Sequence, residues 1–270
     1  AGGTGGQPVS ARAIIIGARR SGSGKTSVTI GILRALTRRG LKVRGAKSGP
    51  DYIDPGFHTA ATGLSGVNLD SWAMPPSLLN ALAAQAADDT DFVILESAMG
   101  LFDGIPAAPG RTGSAADLAR LYGLPVLLVL DVSGQSTTAA AVAKGFATYD
   151  PDVRMAGIVL NRLGSERHRR LSGDAIEAIG LPVVGAILRE PTLNLPAAHP
   201  GPLGPLAGEG EGGLARPGAG GEDAGVGLAR GEGTEALEQL VAIGSDNGRP
   251  LLEPGTGGEQ DAPAVGAQQR

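Results

Sequence analysis

Apolar residues along the chain form short runs that alternate with segments of helical periodicity. Six runs rich in Val, Ile, Leu and Ala have the length of strands, and they lie at residues 11–18, 41–47, 91–97, 124–132, 154–162 and 181–188. Four segments between them have the pattern of helices, at residues 25–39, 75–87, 134–149 and 165–180. Continuous apolar strands separated by helices are typical of a sheet that is buried on both sides. The pattern therefore predicts an α/β fold, with a mostly parallel sheet and helices on both faces.

Polar residues capable of chemistry end or follow the predicted strands. They are Lys25, Lys47, Glu96, Asp131 and Asn161. Ligands of parallel α/β sheets bind beyond the carboxyl ends of the strands, where these side chains are expected to meet. The sequence therefore predicts a functional site at this edge of the sheet.

The loop after the first predicted strand has the composition of a P-loop, and it reads RRSGSGKT at residues 19–26. Gly22 and Gly24 allow the backbone N–H groups to turn inward toward phosphate, and the helix that follows adds its positive end. Lys25 can reach the outer phosphates, and the Thr26 hydroxyl can bind magnesium. The loop predicts a nucleoside triphosphate site.

One position of this loop departs from the usual pattern, because Arg19 stands where the first glycine belongs. Gly17 and Ala18 are small and come just before it, so we expect the bend away from the strand to begin earlier. Ser21 and Ser23 complete the predicted nucleotide-binding loop. The alternative is a Gly/Ser-rich turn between strand and helix that binds nothing.

The segment KSGPDYIDPGFH, residues 47–58, follows the second predicted strand. Lys47 is expected to end a strand beside the one that carries the P-loop, and so to place a second positive charge near phosphate. Asp51 and Asp54 lie in a proline-flanked segment that also contains Tyr52, which predicts a held loop with two carboxylates. Such carboxylates suit magnesium or a second substrate. The alternative is a surface turn in which Asp and Pro only form the turn.

A third segment, ILESAMGLFDG at residues 94–104, contains two further acids. Glu96 ends a buried strand, where its carboxylate would meet the metal of the nucleotide, and Asp103 lies in a glycine-flanked loop. Each could instead be a structural acid at a strand end or a turn. The histidines His58, His168 and His199 are too scattered to suggest a metal site.

Composition separates the chain into three parts. All eight aromatic residues lie at or before Tyr149, whereas residues 197–270 contain 19 glycines and 7 prolines. Residues 1–196 have a net charge of +3 and residues 197–270 one of −7. We expect a flexible leader at 1–11, a folded domain at 12–196 and a disordered low-complexity tail at 197–270. The negative charge belongs to the tail, so it indicates no nucleic-acid partner.

The chain contains no cysteine, which excludes disulfides, thiolate zinc sites and cysteine nucleophiles. No apolar run approaches the roughly 18–20 residues of a membrane span, and the leader is too polar for a secretory signal. The sequence therefore predicts a cytoplasmic protein without a membrane partner.

Four segments taken together resemble one enzyme family. KSGPDYIDPGFH, NLDSW at 68–72, ESAMGLFDG and GIVLNRLGSERH at 157–168 are similar to the cobyrinate and hydrogenobyrinate a,c-diamide synthases. The resemblance covers about residues 12–196, the synthetase domain of that family, and implies a fold like that of dethiobiotin synthetase. The P-loop of that enzyme also has a longer spacing before Gly-Lys-Thr, which favours interpreting Arg19 as a variant of the motif.

The resemblance implies a two-stage ligase reaction in cobalamin biosynthesis. ATP, with Mg²⁺, phosphorylates an acetate side chain of a corrin-type macrocycle, and ammonia then displaces phosphate to leave an amide, first at the c position and then at the a position. It implies phosphate and metal roles for Lys25, Thr26 and Lys47, and metal roles for Asp51 and Glu96. Positions near the macrocycle or the acyl phosphate are implied for Tyr52, Ile53, Asp54 and Asp103, and positions near adenine for Asn161 and Arg162.

Two departures from the family pattern affect the expected activity. Ser97 replaces a family glycine, which is a small change. After residue 196 the family continues into a glutaminase domain with a cysteine nucleophile, which a chain without cysteine cannot supply. We therefore expect the glutaminase half to be absent and free ammonia to be the nitrogen donor. A shifted reading frame in GC-rich DNA would explain the change in composition.

Two other functions stay open at this point. A partition-type ATPase switch has a signature lysine where Arg20 stands, although such proteins lack the PDYIDP segment. The chain could also be an inactive fragment. Association into a homodimer is a further expectation.

Overall fold

The computed structural model describes residues 12–189, and this part contains seven strands and six helices. The predicted leader, the predicted tail and the last residues of the predicted domain lie outside the described residues. The strands are β1 (Arg12–Ala18), β2 (Val43–Ser48), β3 (Val67–Leu69), β4 (Phe92–Glu96), β5 (Val126–Asp131), β6 (Met155–Leu163) and β7 (Val183–Leu188). The helices are α1 (Lys25–Arg38), α2 (Asp54–Thr62), α3 (Pro76–Ala87), α4 (Ala115–Tyr122), α5 (Thr138–Tyr149) and α6 (Glu166–Glu177).

All seven strands form one parallel sheet in the order β3-β2-β4-β1-β5-β6-β7. The predicted fold class is confirmed, since the sheet is parallel and the strand interiors are almost wholly buried. Because every strand runs in the same direction, their carboxyl ends lie along one edge, which we call the carboxyl edge. The P-loop and the loops after β2, β4, β5 and β6 all begin at this edge.

Helices cover both faces of the sheet, as the sequence predicts. On β1, Ile14 and Ile16 point to one face and pack in a cluster with Ile32 of α1. Ile15 points to the other face and packs in a cluster that includes Leu79 of α3 and Leu118 of α4. This alternation follows from the two-residue period of a strand, and it leaves β1 shielded from solvent on both sides.

Two predictions about the arrangement of elements are wrong. β2 does not lie beside β1, because β4 runs between them, with Glu96 opposite both Ile16 and Lys47. The segment predicted as a loop up to His58 becomes helical at Asp54, because Pro55 fits the first turn of a helix, where its missing N–H costs little. The short elements α2, β3 and α4 were not predicted. Their 9, 3 and 8 residues are too few for a clear periodic pattern.

Candidate active site

The P-loop connects β1 to α1 and turns on two glycines in the left-handed region. Gly22 has φ of 75° and Gly24 has φ of 91°, a conformation that other residues rarely adopt. A Cβ atom at Gly24 would also lie 2.2 Å from Nδ2 of Asn161. Asn161 occupies this space because its amide donates to the Ser23 carbonyl at 2.9 Å. The loop conformation and the end of β6 therefore depend on each other.

Arg19 is compatible with this loop for a reason that differs from the predicted one. β1 continues through Ala18, so the bend does not begin at Gly17. Among residues 12–189 the non-glycine residues with positive φ are Asp89 and Arg162, so Arg19 has a backbone conformation open to any residue. The glycine that the usual pattern requires is therefore not needed at this position.

The glycine that leaves room for the Arg19 carbonyl oxygen is Gly100, in the loop after β4. A Cβ atom at Gly100 would lie 2.8 Å from the Arg19 carbonyl oxygen and 2.4 Å from Oδ2 of Asp103. Asp103 accepts a hydrogen bond from the Gly100 N–H at 3.0 Å, and the Leu101 N–H donates to the Ala18 carbonyl at 2.8 Å. Asp103 is exposed and lies close enough to Lys25 for its charge to act on that ammonium.

Lys25 begins α1 with its ammonium group directed back over the P-loop. The side chain is buried, and Nζ lies 3.3 Å from the Arg20 carbonyl oxygen. Burial, together with repulsion from the nearby Lys47, lowers the pKa of Lys25 from its ordinary 10.5 to about 8. A lysine held this way is short of negative charge, and the phosphates of a nucleotide would supply it.

Glu96 is the centre of the polar network at the carboxyl edge, and it is 0 % exposed. Its Oε1 accepts hydrogen bonds from the Thr26 hydroxyl at 2.6 Å and from Lys47 Nζ at 2.9 Å. Its Oε2 lies 3.0 Å from Nε2 of His58. Burial alone would raise the pKa of Glu96, but the hydrogen bonds and the Lys47 charge outweigh burial and lower it to about 2. Glu96 is therefore a carboxylate at any physiological pH.

Lys47 joins Glu96 to the segment that follows β2. Only 2 % of its side chain is exposed, and its ammonium group contacts Glu96 and Asp54, with Oδ2 of Asp51 at 3.9 Å. Burial would lower the pKa of Lys47, but the charges and hydrogen bonds of Glu96 and Asp54 outweigh burial and raise this pKa above its ordinary value. Burial raises the pKa of Asp54, against the hydrogen bond from Lys47. The two buried lysines of the site are thus shifted in opposite directions.

Asp51, Tyr52 and Ile53 form a short connection that leads into α2. Oδ1 of Asp51 accepts hydrogen bonds from the backbone N–H groups of Ile53 at 2.9 Å and Asp54 at 3.1 Å, as aspartate does in an Asx turn. The side chain of Asp51 therefore has a structural task beside any role at a metal. Tyr52 is 82 % exposed and free to contact a large ligand at the carboxyl edge.

Asn161 and Arg162 lie on the other side of the P-loop from Glu96. Arg162 has φ of 60°, and its guanidinium donates to Oδ2 of Asp131 at 2.6 Å. Burial would raise the pKa of Asp131, but hydrogen bonds from Ser133 and Arg162 outweigh it and lower the pKa. The structure therefore gathers the predicted residues into two groups, one around Glu96 and one around Asp131, joined by the P-loop.

His58 is the residue of this network that the sequence did not identify. It lies in α2, four positions after Asp54, so both side chains are on the same side of the helix. That spacing would have indicated it, had α2 been predicted. The structure buries His58 completely beside Glu96, whereas the ring of His168, on α6, accepts a hydrogen bond from the Gly164 N–H.

The residues around Glu96 fit a magnesium ion that is shared with a nucleotide. Among residues 12–189 no group of three or more His, Asp or Glu side chains is placed to hold a metal by itself. Magnesium in nucleotide sites, however, takes one or two protein oxygens, with phosphate and water as its other ligands. The Thr26 hydroxyl and the Glu96 carboxylate, already 2.6 Å apart, provide two such oxygens.

Two known proteins with similar sequences carry the same name. The chain is 95 % identical over 193 residues to the hydrogenobyrinate a,c-diamide synthase of Mesorhizobium japonicum and 70 % identical over 193 residues to that of Agrobacterium fabrum. In both comparisons the match covers 72 % of this chain and 44 % of the relative. The chain thus matches less than half the length of these relatives, and over that part the resemblance found in the four motifs is confirmed.

Comparison with solved structures bears on the fold alone, whereas the family model bears on the family. The signal recognition particle receptor FtsY of Elizabethkingia anophelis has the same fold at a TM-score of 0.51 and 20 % identity, over 68 % of this chain and 60 % of that protein. No helix within residues 12–189 has the length and apolarity needed to cross a membrane. The family model for the CobQ/CobB/MinD/ParA nucleotide binding domain matches residues 14–202. The chain therefore belongs to the CbiA family of nucleotide-binding domains.

Proposed function

We propose that this domain uses ATP and Mg²⁺ to activate the a- and c-acetate carboxylates of cobyrinic or hydrogenobyrinic acid for amidation. The observation that carries the proposal is the convergence of Lys25, Thr26, Lys47 and Glu96 at the carboxyl edge, in a chain whose relatives are named a,c-diamide synthases. Phosphoryl transfer requires positive charge around the transferred group, because the negative charge of that group otherwise repels the attacking carboxylate. Two buried ammonium groups and a carboxylate suited to magnesium meet this requirement.

The chemistry proceeds in two displacements. A carboxylate oxygen of the macrocycle attacks the γ-phosphorus, the bond from that phosphorus to the bridging oxygen breaks, and ADP leaves. The nitrogen of ammonia then attacks the acyl carbon, the carbon–oxygen bond to phosphate breaks, and the nitrogen loses a proton. Lys25 and Lys47 hold the phosphates during the first displacement. A magnesium ion held by Thr26 and Glu96 would neutralise part of the charge of the phosphates.

The remaining roles follow from position at the carboxyl edge. Asp51 supports the metal site from the connection between β2 and α2. Asp54 lies near Lys47 and Asp103 near Lys25, where the reacting carboxylate would arrive. Tyr52 and Ile53 contact the macrocycle. Ser21, Gly22, Ser23 and Gly24 bind phosphate through the backbone, and Asn161 and Arg162 border the adenine. A cytoplasmic location and a homodimer stay predictions.

The test supplies the full chain with ATP, MgCl₂, ammonium chloride and hydrogenobyrinic acid, and follows the products by mass spectrometry. We expect a monoamide and then a diamide with ammonium, and no amide when glutamine replaces ammonium, because the chain has no cysteine for glutamine hydrolysis. Hydroxylamine in place of ammonium should trap the acyl phosphate as a hydroxamate.

Two outcomes would reject the proposal. ATP turnover that ignores the macrocycle, without any amide, would favour a nucleotide switch of the MinD/ParA kind. Absence of nucleotide binding would favour an inactive piece of a longer enzyme.

Binding of MgATP is also expected to take up a proton in mildly alkaline solution. In the protein without nucleotide, Lys25 loses its proton above about pH 8, because its pKa is lowered to about 8. Bound phosphates would raise this pKa back toward its ordinary value. At about pH 9 we expect uptake of close to one proton per nucleotide, and little at pH 7. Calorimetry in two buffers of different ionisation enthalpy measures this number. The Lys144→Ala variant, changed on the exposed side of α5, should retain the uptake, and Lys25→Met should lose it.

A further inference from the structure

His58 occupies a space that the fold keeps open for it. The side chain is 0 % exposed, and the residue beneath it in β2 is Gly45. A Cβ atom at Gly45 would lie 2.5 Å from Cβ of His58 and 2.6 Å from its Cγ. Such distances do not occur between real side chains, so any larger residue at 45 would displace the imidazole. A glycine inside a buried strand weakens the strand, and here it allows a ring to approach the sheet closely.

The imidazole makes a single directed contact with the polar network. Nε2 lies 3.0 Å from Oε2 of Glu96, and because this carboxyl group is paired with the Lys47 ammonium, the hydrogen is assigned to this ring nitrogen. Nδ1 has no hydrogen-bond partner among the described residues. Within the described part of the chain, Glu96 is therefore the single hydrogen-bond partner of the ring.

The three donors around Glu96 are divided between its two carboxylate oxygens. Oε1 receives the Thr26 hydroxyl and the Lys47 ammonium, and Oε2 receives His58. The terminal torsion of a glutamate is broad, so donors on one oxygen leave the plane of the carboxylate poorly fixed. A donor on the second oxygen fixes it. When a cation engages Oε1 and the oxygen of Thr26, the hydrogen bond between them is lost, and the contact with His58 stays.

We propose that His58 is a positioning residue, which fixes the plane of the Glu96 carboxylate through Nε2–H and thereby sets the affinity of the Thr26–Glu96 pair for magnesium. The inference rests on the proposed function only in requiring a magnesium–nucleotide complex, and it does not depend on the macrocycle. Partners that orient a ligating carboxylate typically change metal affinity by about 10–100-fold when they are removed.

The experiment measures binding without turnover. A methylanthraniloyl-labelled ATP is bound to the full chain over a series of MgCl₂ concentrations, and the concentration that gives half of the magnesium-dependent signal is recorded. We expect His58→Leu to raise this concentration about 10–100-fold, since leucine fills the space but donates nothing. His58→Gln, whose amide reaches the position of Nε2, should stay within about threefold. Affinity measured in EDTA should be the same in all variants.

Two controls separate positioning from a loss of folding. His168→Leu removes a histidine whose ring accepts from the Gly164 N–H, with no hydrogen bond to Glu96, and should leave the magnesium requirement unchanged. If His58→Leu does not fold, the pair His58→Gln and His58→Asn decides, because asparagine is too short to reach Glu96. Long-range proton–nitrogen NMR of the ligand-free protein should also show His58 protonated on Nε2, with a shift that Glu96→Gln changes.

The outcomes distinguish this inference from the proposed function. A folded His58→Leu or His58→Asn with the magnesium requirement of the unaltered chain would reject the role of His58 alone. Magnesium-dependent nucleotide binding without amide formation would reject the proposed function alone. Nucleotide binding that ignores magnesium in the unaltered chain would reject both.

Discussion

Replacing Lys47 with methionine is expected to lower the free energy of unfolding by about 3–5 kcal/mol, because it leaves buried carboxylates without a counter-charge. Lys47 is 2 % exposed and contacts both Glu96, which is fully buried, and Asp54. Methionine has a similar length and no charge, so the change removes the ion pairs and leaves little cavity. Urea denaturation of the full chain measures the loss, and ATP turnover should fall with it.

A surface lysine provides the matched control. Lys42 pairs with Asp89, and both side chains are mostly exposed. Lys42→Met should therefore leave the free energy of unfolding almost unchanged, because water screens an exposed ion pair. If Lys47→Met and Lys42→Met unfold at the same urea concentration, the ion pairs of Lys47 do not stabilise the fold as described.

Replacing Lys25 with methionine is expected to reduce ATP turnover by about 10²–10³-fold or more while leaving the ligand-free protein at least as stable as before. The pKa of Lys25 is lowered in the folded state, so the unfolded chain holds this proton more tightly. Below about pH 8 the charged lysine therefore costs stability, and methionine removes that cost. Turnover assays and urea denaturation of the same preparation measure both effects.

The pH dependence provides a check on the sign. Between about pH 8 and 10.5 the unaltered chain should gain stability relative to Lys25→Met, because its folded state is already deprotonated there while its unfolded state is not. Above that range the difference should stay constant. A Lys25→Met variant that is much less stable than the unaltered chain at pH 7 would contradict the lowered pKa.

These two lysines show what could be predicted from the sequence and what could not. Both follow or end apolar runs long enough to be recognised as strands or their loops, so their position at one edge of a parallel sheet was predictable. The opposite shifts of their pKa values were not, because they depend on which carboxylates each ammonium group contacts. Asp54 and Glu96 are 7 and 49 positions from Lys47, and only the fold brings them together.

The order of the strands was the most important feature of the fold that could not be predicted from the sequence. The motifs indicate that β1 and β2 both contribute to the site, and neighbours in sequence often pair in a sheet. Nothing in the local pattern of residues 91–97 says that β4 inserts between them. Likewise, α2 begins with Asp-Pro-Gly, which is more typical of a turn. The contact between His58 and Glu96 could therefore not be predicted from the sequence.

The insertion of β4 has a consequence for biosynthesis of the chain. Within the described residues β1 pairs with β4 and β5 only, so its backbone hydrogen bonds to them must wait until Asp91 and the residues after it have left the ribosome. Loop closure over such a separation is slow compared with local pairing. A nascent chain that ends before β4 would expose an apolar, unpaired segment at Ile14–Ile16 and would be a natural target for chaperones.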